Sequence, residues 1–423
     1  MDNRKSHILY EKKSDLIWLA LFVFLYVLTG ALCYRLYLRQ AIVYPGKMGT
    51  YLADIGSHIH EGVRGRGYSL MELYYGLVVG KLGLSEKPAA AFVSLLTIGT
   101  VFVTYRFMRK IAPACSRNVL HLASFFSIFL FPLYIPSLNG MRYLGLQSGA
   151  NWHNDTYTGM RFAAMLLFLF YYTWINFYRE RFGWKDFTLF TILLILVNWI
   201  KPNFIVAFAP AMALMLLADC IRDRGNTIKM QILFGIPVLI SLLVLLYQAN
   251  ALFGGSSSGS STSSGLPIGF SVAYVLKLRA QHPVASLLQS AAFPLYVMIG
   301  NRRELKKDRF LQITWLTWLV GLLEFLFIHE EGKRKGDGNL SWGYSFCIYL
   351  VFTVSTAWFC RNWHQFLSDI REDKCSFGVF VRKDKANVRR LIYLVLGSGL
   401  FLYHLYSGLA FFYYTLQGAP YAI

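Results

Sequence analysis

The sequence predicts an all-α, polytopic membrane helix bundle with about eleven transmembrane helices. Three observations predict it. Of the 423 residues, 56% are hydrophobic and only 15% are charged, whereas a soluble chain carries roughly a quarter charged residues; mean hydropathy is +0.43. The apolar residues fall in blocks of about twenty, the length a helix needs to cross a hydrocarbon core of roughly 30 Å. The basic residues collect in the short connections between those blocks, where they set topology. The net charge of +20 is therefore a topology signal. No soluble basic domain is present to bind nucleic acid.

The segment 1–15 holds Arg4, Lys5, Lys12 and Lys13, which places the N-terminus in the cytoplasm by the positive-inside rule. The first apolar block, 16–36, is long enough to span and reads as a signal anchor with no cleavage site. Further blocks follow at 88–105, 118–137, 160–178, 187–200, 203–218, 230–249, 285–300, 310–328, 344–360 and 391–413. The stretch 68–84 is less apolar. If it crossed, Arg106, Arg109, Lys110 and Arg117 would lie outside; as an interfacial helix it leaves every later basic loop inside. The inside segments then hold 27 of the 42 Lys and Arg residues. The block 187–219 is interrupted by Lys201-Pro202-Asn203. Two crossings keep parity, each arm being roughly 21–24 Å long, so the Lys201 tip sits below the surface against a protein-lined cavity.

The chain reads as a single transmembrane domain, 1–423, without internal repeats. Its non-helical parts are a first outside loop at 37–87, a flexible outside loop at 250–284 containing Gly254–Ser264, and a basic cytoplasmic loop at 361–390. The flexible loop reads as a linker first and as a gate second. Cys33, Cys115, Cys220, Cys347, Cys360 and Cys375 show no metal-ligand spacing, and the sequence gives no disulfide framework.

Four polar clusters fall outside. Asp54 and His58 are spaced to share a helix face, and His60, Glu61, Arg64 and Arg66 follow. A carboxylate with a histidine one turn on can act as a general base or bind a metal. Asn151-Trp152-His153-Asn154-Asp155 combines an aromatic surface with hydrogen-bonding groups, as a sugar site does; the alternative is a helix start capped by Asp155 or Thr156. Lys201 is a cation at depth, suited to a lipid phosphate or, equally, snorkelling. The loop 329–344 carries His329, Glu330, Glu331, Arg334, Asn339 and Trp342 among four glycines, and glycine lets backbone approach a ligand closely. Glu324, one turn inside the preceding helix, is an intramembrane acid. The sequons at Asn154 and Asn339 lie inside these clusters and read as chance matches.

This order resembles the GT-C superfamily of membrane glycosyltransferases: a first helix, an acid soon after it at Asp54, an interfacial candidate at 68–84, then a multi-helix bundle. The loop from Glu330-Glu331 to Asn339-Leu-Ser-Trp342 is similar to a late outside loop of such enzymes. Many members carry paired acids in the first loop, whereas Asp54 stands alone with His58, His60 and Glu61 beside it. The resemblance implies an inverting direct displacement. A sugar moves from a polyprenyl-phosphate donor to a glycan or lipid acceptor of the cell envelope, on the non-cytoplasmic face of a bacterial plasma membrane. It implies Asp54 as general base, with Arg64, Arg66, Lys201 and Arg334 facing the departing phosphate. Trp152 and Trp342 would stack on sugar rings, and His58, His60, His153, Asn154, Asp155, Glu330, Glu331 and Asn339 would line the substrate site. No cofactor is called for and no metal-ligand set is assigned, although a divalent cation is compatible with these groups. The main rival is a transporter or flippase for lipid-linked sugars, which would show repeats and broken helices in both halves. A polysaccharide polymerase or ligase and a non-catalytic accessory subunit complete the alternatives.

Overall fold

The computed structural model describes residues 2–43, 53–181, 183–253, 268–331, 335–336 and 338–418. In chain order the elements are α1 (Asp2–Val43), α2 (Asp54–Val63), α3 (Leu70–Tyr75) continuing as a π-helical turn (Gly76–Lys81), α4 (Lys87–Ile111), α5 (Arg117–Ser127), α6 (Asp155–Trp174), α7 (Trp184–Ile200), α8 (Asn203–Arg222) and α9 (Ile228–Phe253). There follow β1 (Ile268–Phe270), α10 (Tyr274–Arg279), α11 (Pro283–Gly300), α12 (Arg302–Leu305), α13 (Arg309–Phe327), β2 (Ile328–Glu330), α14 (Ser341–Glu372), α15 (Phe377–Lys383) and α16 (Lys385–Gln417).

The protein is an all-α, multi-pass integral membrane protein. Among the described residues eight helices are long and apolar enough to cross a membrane: α1 from Asp15, α4, α8, α9, α11, α13, α14 and α16. The burial pattern agrees. Leu239, Leu243 and Leu246 on α9 and Val395, Leu396 and Leu402 on α16 are exposed, an outward apolar face that water would not tolerate but lipid does. α14 is the axis of the bundle, with 94% of its apolar window buried.

The other three predicted blocks are helical in part or in full. α6 has 20 residues and α7 has 17. The block 118–137 is helical only through Ser127. Beyond it Pro132 and Pro136 offer no N–H, and Phe131 N and Leu133 N donate across to His404 O (3.2 Å) and Gln289 O (3.0 Å). The interruption at Lys201-Pro202 appears as drawn: Lys201 is extended and α8 begins at Asn203. The stretch 70–81 is twelve helical residues, about 18 Å at helical rise and too short to span.

Three predicted loop boundaries change. α1 runs from Asp2 to Val43, beyond 16–36 at both ends, so the first connection begins later than residue 37. The segment 361–390 is mostly helix: α14 continues to Glu372, and α15 and α16 fill most of the rest. Local ion pairs secure this turn, Arg390 to Asp369 and Lys383 to Asp373 (each 2.7 Å), and the Asp384 side chain caps α16 by accepting from Ala386 N. The low-complexity run Gly254–Ser264 lies outside the described residues. From Ile268 to residue 284 the segment is ordered. β1 pairs antiparallel with β2 in the register Ile268↔Glu330, Gly269↔His329 and Phe270↔Ile328. A left-handed Ala273 (φ 55°) then turns the chain into α10.

The long helices give the bundle two unlike ends. At one end α6, α8 and α14 begin and α13 finishes. At the other, the same helices carry basic groups. There Asp219 of α8 is gripped by Arg179, which follows α6, and by Arg309, which opens α13, and it accepts from the Tyr178 hydroxyl (2.6 Å). One buried carboxylate thus ties three helix ends.

α2 and the α3–π segment cross glycine to glycine. A Cβ on Gly62 would collide with the Glu72 carbonyl oxygen, and one on Gly76 with the Gly62 carbonyl oxygen. Only two hydrogen-faced positions allow this approach, which brings Glu72 beside His58. Gly62→Ala should therefore destabilise the fold by about 1–3 kcal/mol through overpacking. Thermal unfolding in detergent micelles reads this, and an unchanged midpoint would refute the close-packing account.

Candidate active site

A cavity of about 460 Å³ lies where α6 and α14 begin. Its wall is drawn from distant parts of the chain: Asp54 and Ser57 of α2, Tyr143, Gln147, His153 and Asn154 of the connection before α6, Leu276 and Arg279 of α10, and Asn339, Ser341, Trp342 and Ser345 at the start of α14. Among the described lining residues Asp54 is the one acid and Arg279 the one Arg or Lys.

Local sequence explains how each group is placed. Asp54 opens α2 and His58 follows one turn later, so both share a face. The Asn154 side chain caps α6 by accepting from Tyr157 N (2.7 Å). The cap is one residue before Asp155 and two before Thr156, because Asn154 takes the extended conformation that a cap requires. Its amide nitrogen donates to Asp54 Oδ2 (3.1 Å), which couples the two helix starts. Lys201 Nζ donates to Thr156 Oγ1 (3.0 Å) and lies 5.1 Å above the Trp342 ring.

Behind Asp54 sits a buried charge cluster. His58 Nδ1 bonds to Glu72 Oε1 at 2.8 Å, and its Nε2 lies 3.6 Å from Asp155 Oδ1. Glu72 is itself fixed by Tyr68 N (2.9 Å) and Ser69 N (3.1 Å). Tyr75 donates its hydroxyl to Asp155 Oδ2 (2.6 Å). Burial lowers the affinity of His58 for a proton, but Asp155, the Glu72 hydrogen bond and Asp54 outweigh it and raise the imidazole to about 9. Burial pushes the Asp54 carboxyl up, with Asp155 adding to it and His58, Lys201 and Asn154 opposing, to about 6. Lys201 is brought down to about 8 by burial, against the nearby carboxylates. His153 is held down to about 3 by burial and by Lys201, so it is neutral at physiological pH.

Asp54, His58 and Asp155 each offer a ligand atom, all within 4.8 Å of one another. Two carboxylates and an imidazole are donors that a divalent cation accepts. Asp155 Oδ1 is buried without a hydrogen-bond partner, so the set could hold such an ion, in competition with the proton on His58 Nε2.

The predicted residues divide into groups. Asp54, His153, Asn154, Asn339 and Trp342 line the cavity. His58, Asp155 and Lys201 stand immediately behind that wall. Glu330 reaches it indirectly, accepting from Asn339 Nδ2 (2.8 Å). His60 and the exposed Arg64 and Arg66 are not among the lining residues. Glu331 is occupied with His329 (3.0 Å) and Lys335 (3.2 Å) on the outer surface. Arg334 lies outside the described residues. Trp152, expected to stack on a sugar, is 1% exposed and packs on Phe412 and Phe129, with ring centroids at 4.5 and 5.4 Å. It is core because the chain between Gly149 and Asp155 turns it inward, where Gln40 Nε2 fixes its carbonyl (2.9 Å). Glu324 is buried in α13 and does not line the cavity.

Sequence reasoning passed over Glu72, Tyr75, Tyr143 and Arg279. Glu72 was detectable: Ser69-x-x-Glu72 is a capping box, which the structure forms. Tyr143 and Arg279 lie in stretches without periodicity and give no signal of their own.

The chain matches no known protein-family model and no curated protein. Fold and geometry define the class: a multi-pass, all-α membrane protein with a polar cavity at one end of its bundle and a buried acid–histidine cluster in the cavity wall.

The two tryptophans should part on substitution. Trp152→Ala removes a fully packed side chain and should cost about 3–5 kcal/mol. Trp342→Ala, at a cavity wall, should cost much less. Parallel unfolding curves in one detergent read both, and equal losses would contradict the assignment of Trp152 to the core.

Proposed function

We propose that this protein is a membrane glycosyltransferase. It moves a sugar from a polyprenyl-phosphate donor to a cell-envelope acceptor on the non-cytoplasmic face of a bacterial plasma membrane, with its N-terminus in the cytoplasm. One observation carries the reading. Asp54, His153, Asn154, Asn339 and Trp342, far apart in the chain, meet in one cavity, at the bundle end opposite the basic clusters that the positive-inside rule puts in the cytoplasm. Its volume falls in the range of small-ligand sites. Its wall mixes amides, hydroxyls and indole, the groups that recognise sugar rings.

The chemistry is a single displacement. The acceptor hydroxyl oxygen forms a bond to the anomeric carbon, and the bond from that carbon to the phosphate oxygen breaks. The phosphate leaves with the electron pair, the hydroxyl proton passes to Asp54, and the configuration inverts. A carboxyl held near pH 6 is a base matched to neutral pH. Arg279 in the wall and Lys201 behind it stabilise the leaving phosphate. The helix N-termini of α6 and α14 at the cavity act in the same sense.

Two outcomes are expected in a transfer assay over a panel of polyprenyl-phosphate sugars. Asp54→Asn should lower turnover by about 10²–10⁴ while membrane insertion is retained; undiminished transfer sinks the base assignment. Asp54 must be ionised to accept the proton, so kcat/KM should be full above about pH 6 and fall as pH drops through it. A flat profile there would remove Asp54 from the reaction.

A further inference from the structure

A second concave surface lies at the other end of α4 and α6. It is a groove of about 860 Å³ between α4, α6 and α7. Its polar rim is formed by Arg106, Arg109, Lys110 and Arg117, and no Asp or Glu is among its described lining residues. Its floor and far wall are apolar: Leu166, Leu169 and Phe170 of α6, and Leu189 and Leu193 of α7.

The way these helices meet creates the groove. α6 is flanked by α4 on one side and α7 on the other, so its outward face is left recessed. Lys110 crosses the recess from α4 and donates to Leu169 O (3.1 Å) and Thr173 Oγ1 on α6. Arg109 donates to Cys115 O (3.2 Å), which folds the 112–116 turn against the rim. Arg106 and Arg117 are exposed at the mouth. Leu189 is 45% exposed although the helix is apolar, so the wall faces lipid and not the core. Four basic side chains thus border an open groove whose floor is hydrocarbon.

We propose that this groove binds an anionic glycerophospholipid. Its phosphate sits among Arg106, Arg109 and Arg117, and one acyl chain lies along Leu166, Leu169 and Leu193. Charge complementarity selects the headgroup, because an uncompensated basic rim favours a net negative lipid over a zwitterionic one. The apolar floor separates a phospholipid from free phosphate, which could use only the rim. α6 begins at the cavity with Asp155 and passes the groove at Leu166–Phe170, about 16–22 Å further along its axis. The site is therefore separate from the cavity and independent of the transferase reading.

The test measures lipid binding to the full chain in detergent, by native mass spectrometry and by fluorescent-lipid exchange. Phosphatidylglycerol and phosphatidylcholine of matched chains are compared, with inorganic phosphate as competitor. Phosphatidylglycerol should be retained preferentially and should resist phosphate. Arg106→Gln with Arg117→Gln should weaken it about fivefold for each charge removed. The control pair Arg302→Gln with Arg303→Gln, at a different basic surface, should change it little. Equal retention of the two lipids, full displacement by phosphate, unchanged binding in the first pair, or an equal loss in the control pair would each overturn the proposal. Folding is checked by thermal midpoint, which these exposed substitutions should leave in place.

Discussion

His58 is held between carboxylates from two elements, Glu72 of α3 and Asp155 of α6, with Asp54 of its own helix completing the ring. An acid buried alone would be forced neutral, and so would an imidazole. Together they sustain charge in a setting where none could do so singly. Much of the cavity wall depends on this. Asp155 opens α6, and Asn154 before it caps that helix and steadies Asp54. Glu72 stands where it does because two glycines let α2 and the α3–π segment touch backbone to backbone. The electrostatic core of the site and the steric fit of the first connection are thus one arrangement.

The direction of the helices makes this arrangement usable. α6 and α14 start at the cavity, and their N-termini present amide groups and a positive dipole end to it. α8 starts beside it, where Asn203 Nδ2 fixes Asn339 O (2.9 Å). The β1–β2 ribbon joins the segment after α9 to the end of α13. In this way α10, with Leu276 and Arg279, becomes part of the cavity wall although it follows a low-complexity run.

The bundle was readable in the sequence because hydrophobic length and basic loops report directly on a bilayer. The break at Lys201-Pro202 was readable for a similar reason, since proline and a cation interrupt an apolar block. Asp54, His153, Asn154 and Trp342 were legible as members of polar clusters between apolar blocks, and they meet at one end of the bundle. Trp152 was misjudged because type and position in a loop do not say which way a side chain turns; the turn from Gly149 onward decides that. Arg64 and Arg66 looked equivalent to the lining residues by proximity in sequence, yet the C-terminal end of α2 carries them outward. Arg279 was hidden because its place in the wall depends on strand pairing between residues some sixty positions apart, and no local pattern encodes that. The extent of α15 and α16 through 361–390 was masked by charge, which marks a helix surface in water as readily as a loop.

The Asp219 cluster has a mechanical meaning. With Arg179 and Arg309 clasping one carboxylate, the far ends of α6, α8 and α13 are riveted together. Breaking a buried pair of this kind typically costs about 3–5 kcal/mol, so these three helix ends are held together as one joint. At the cavity end the ties are hydrogen bonds instead: Lys201 Nζ, just before α8, reaches Thr156 Oγ1 of α6 (3.0 Å), and Asn203 Nδ2 of α8 reaches the Asn339 carbonyl before α14 (2.9 Å).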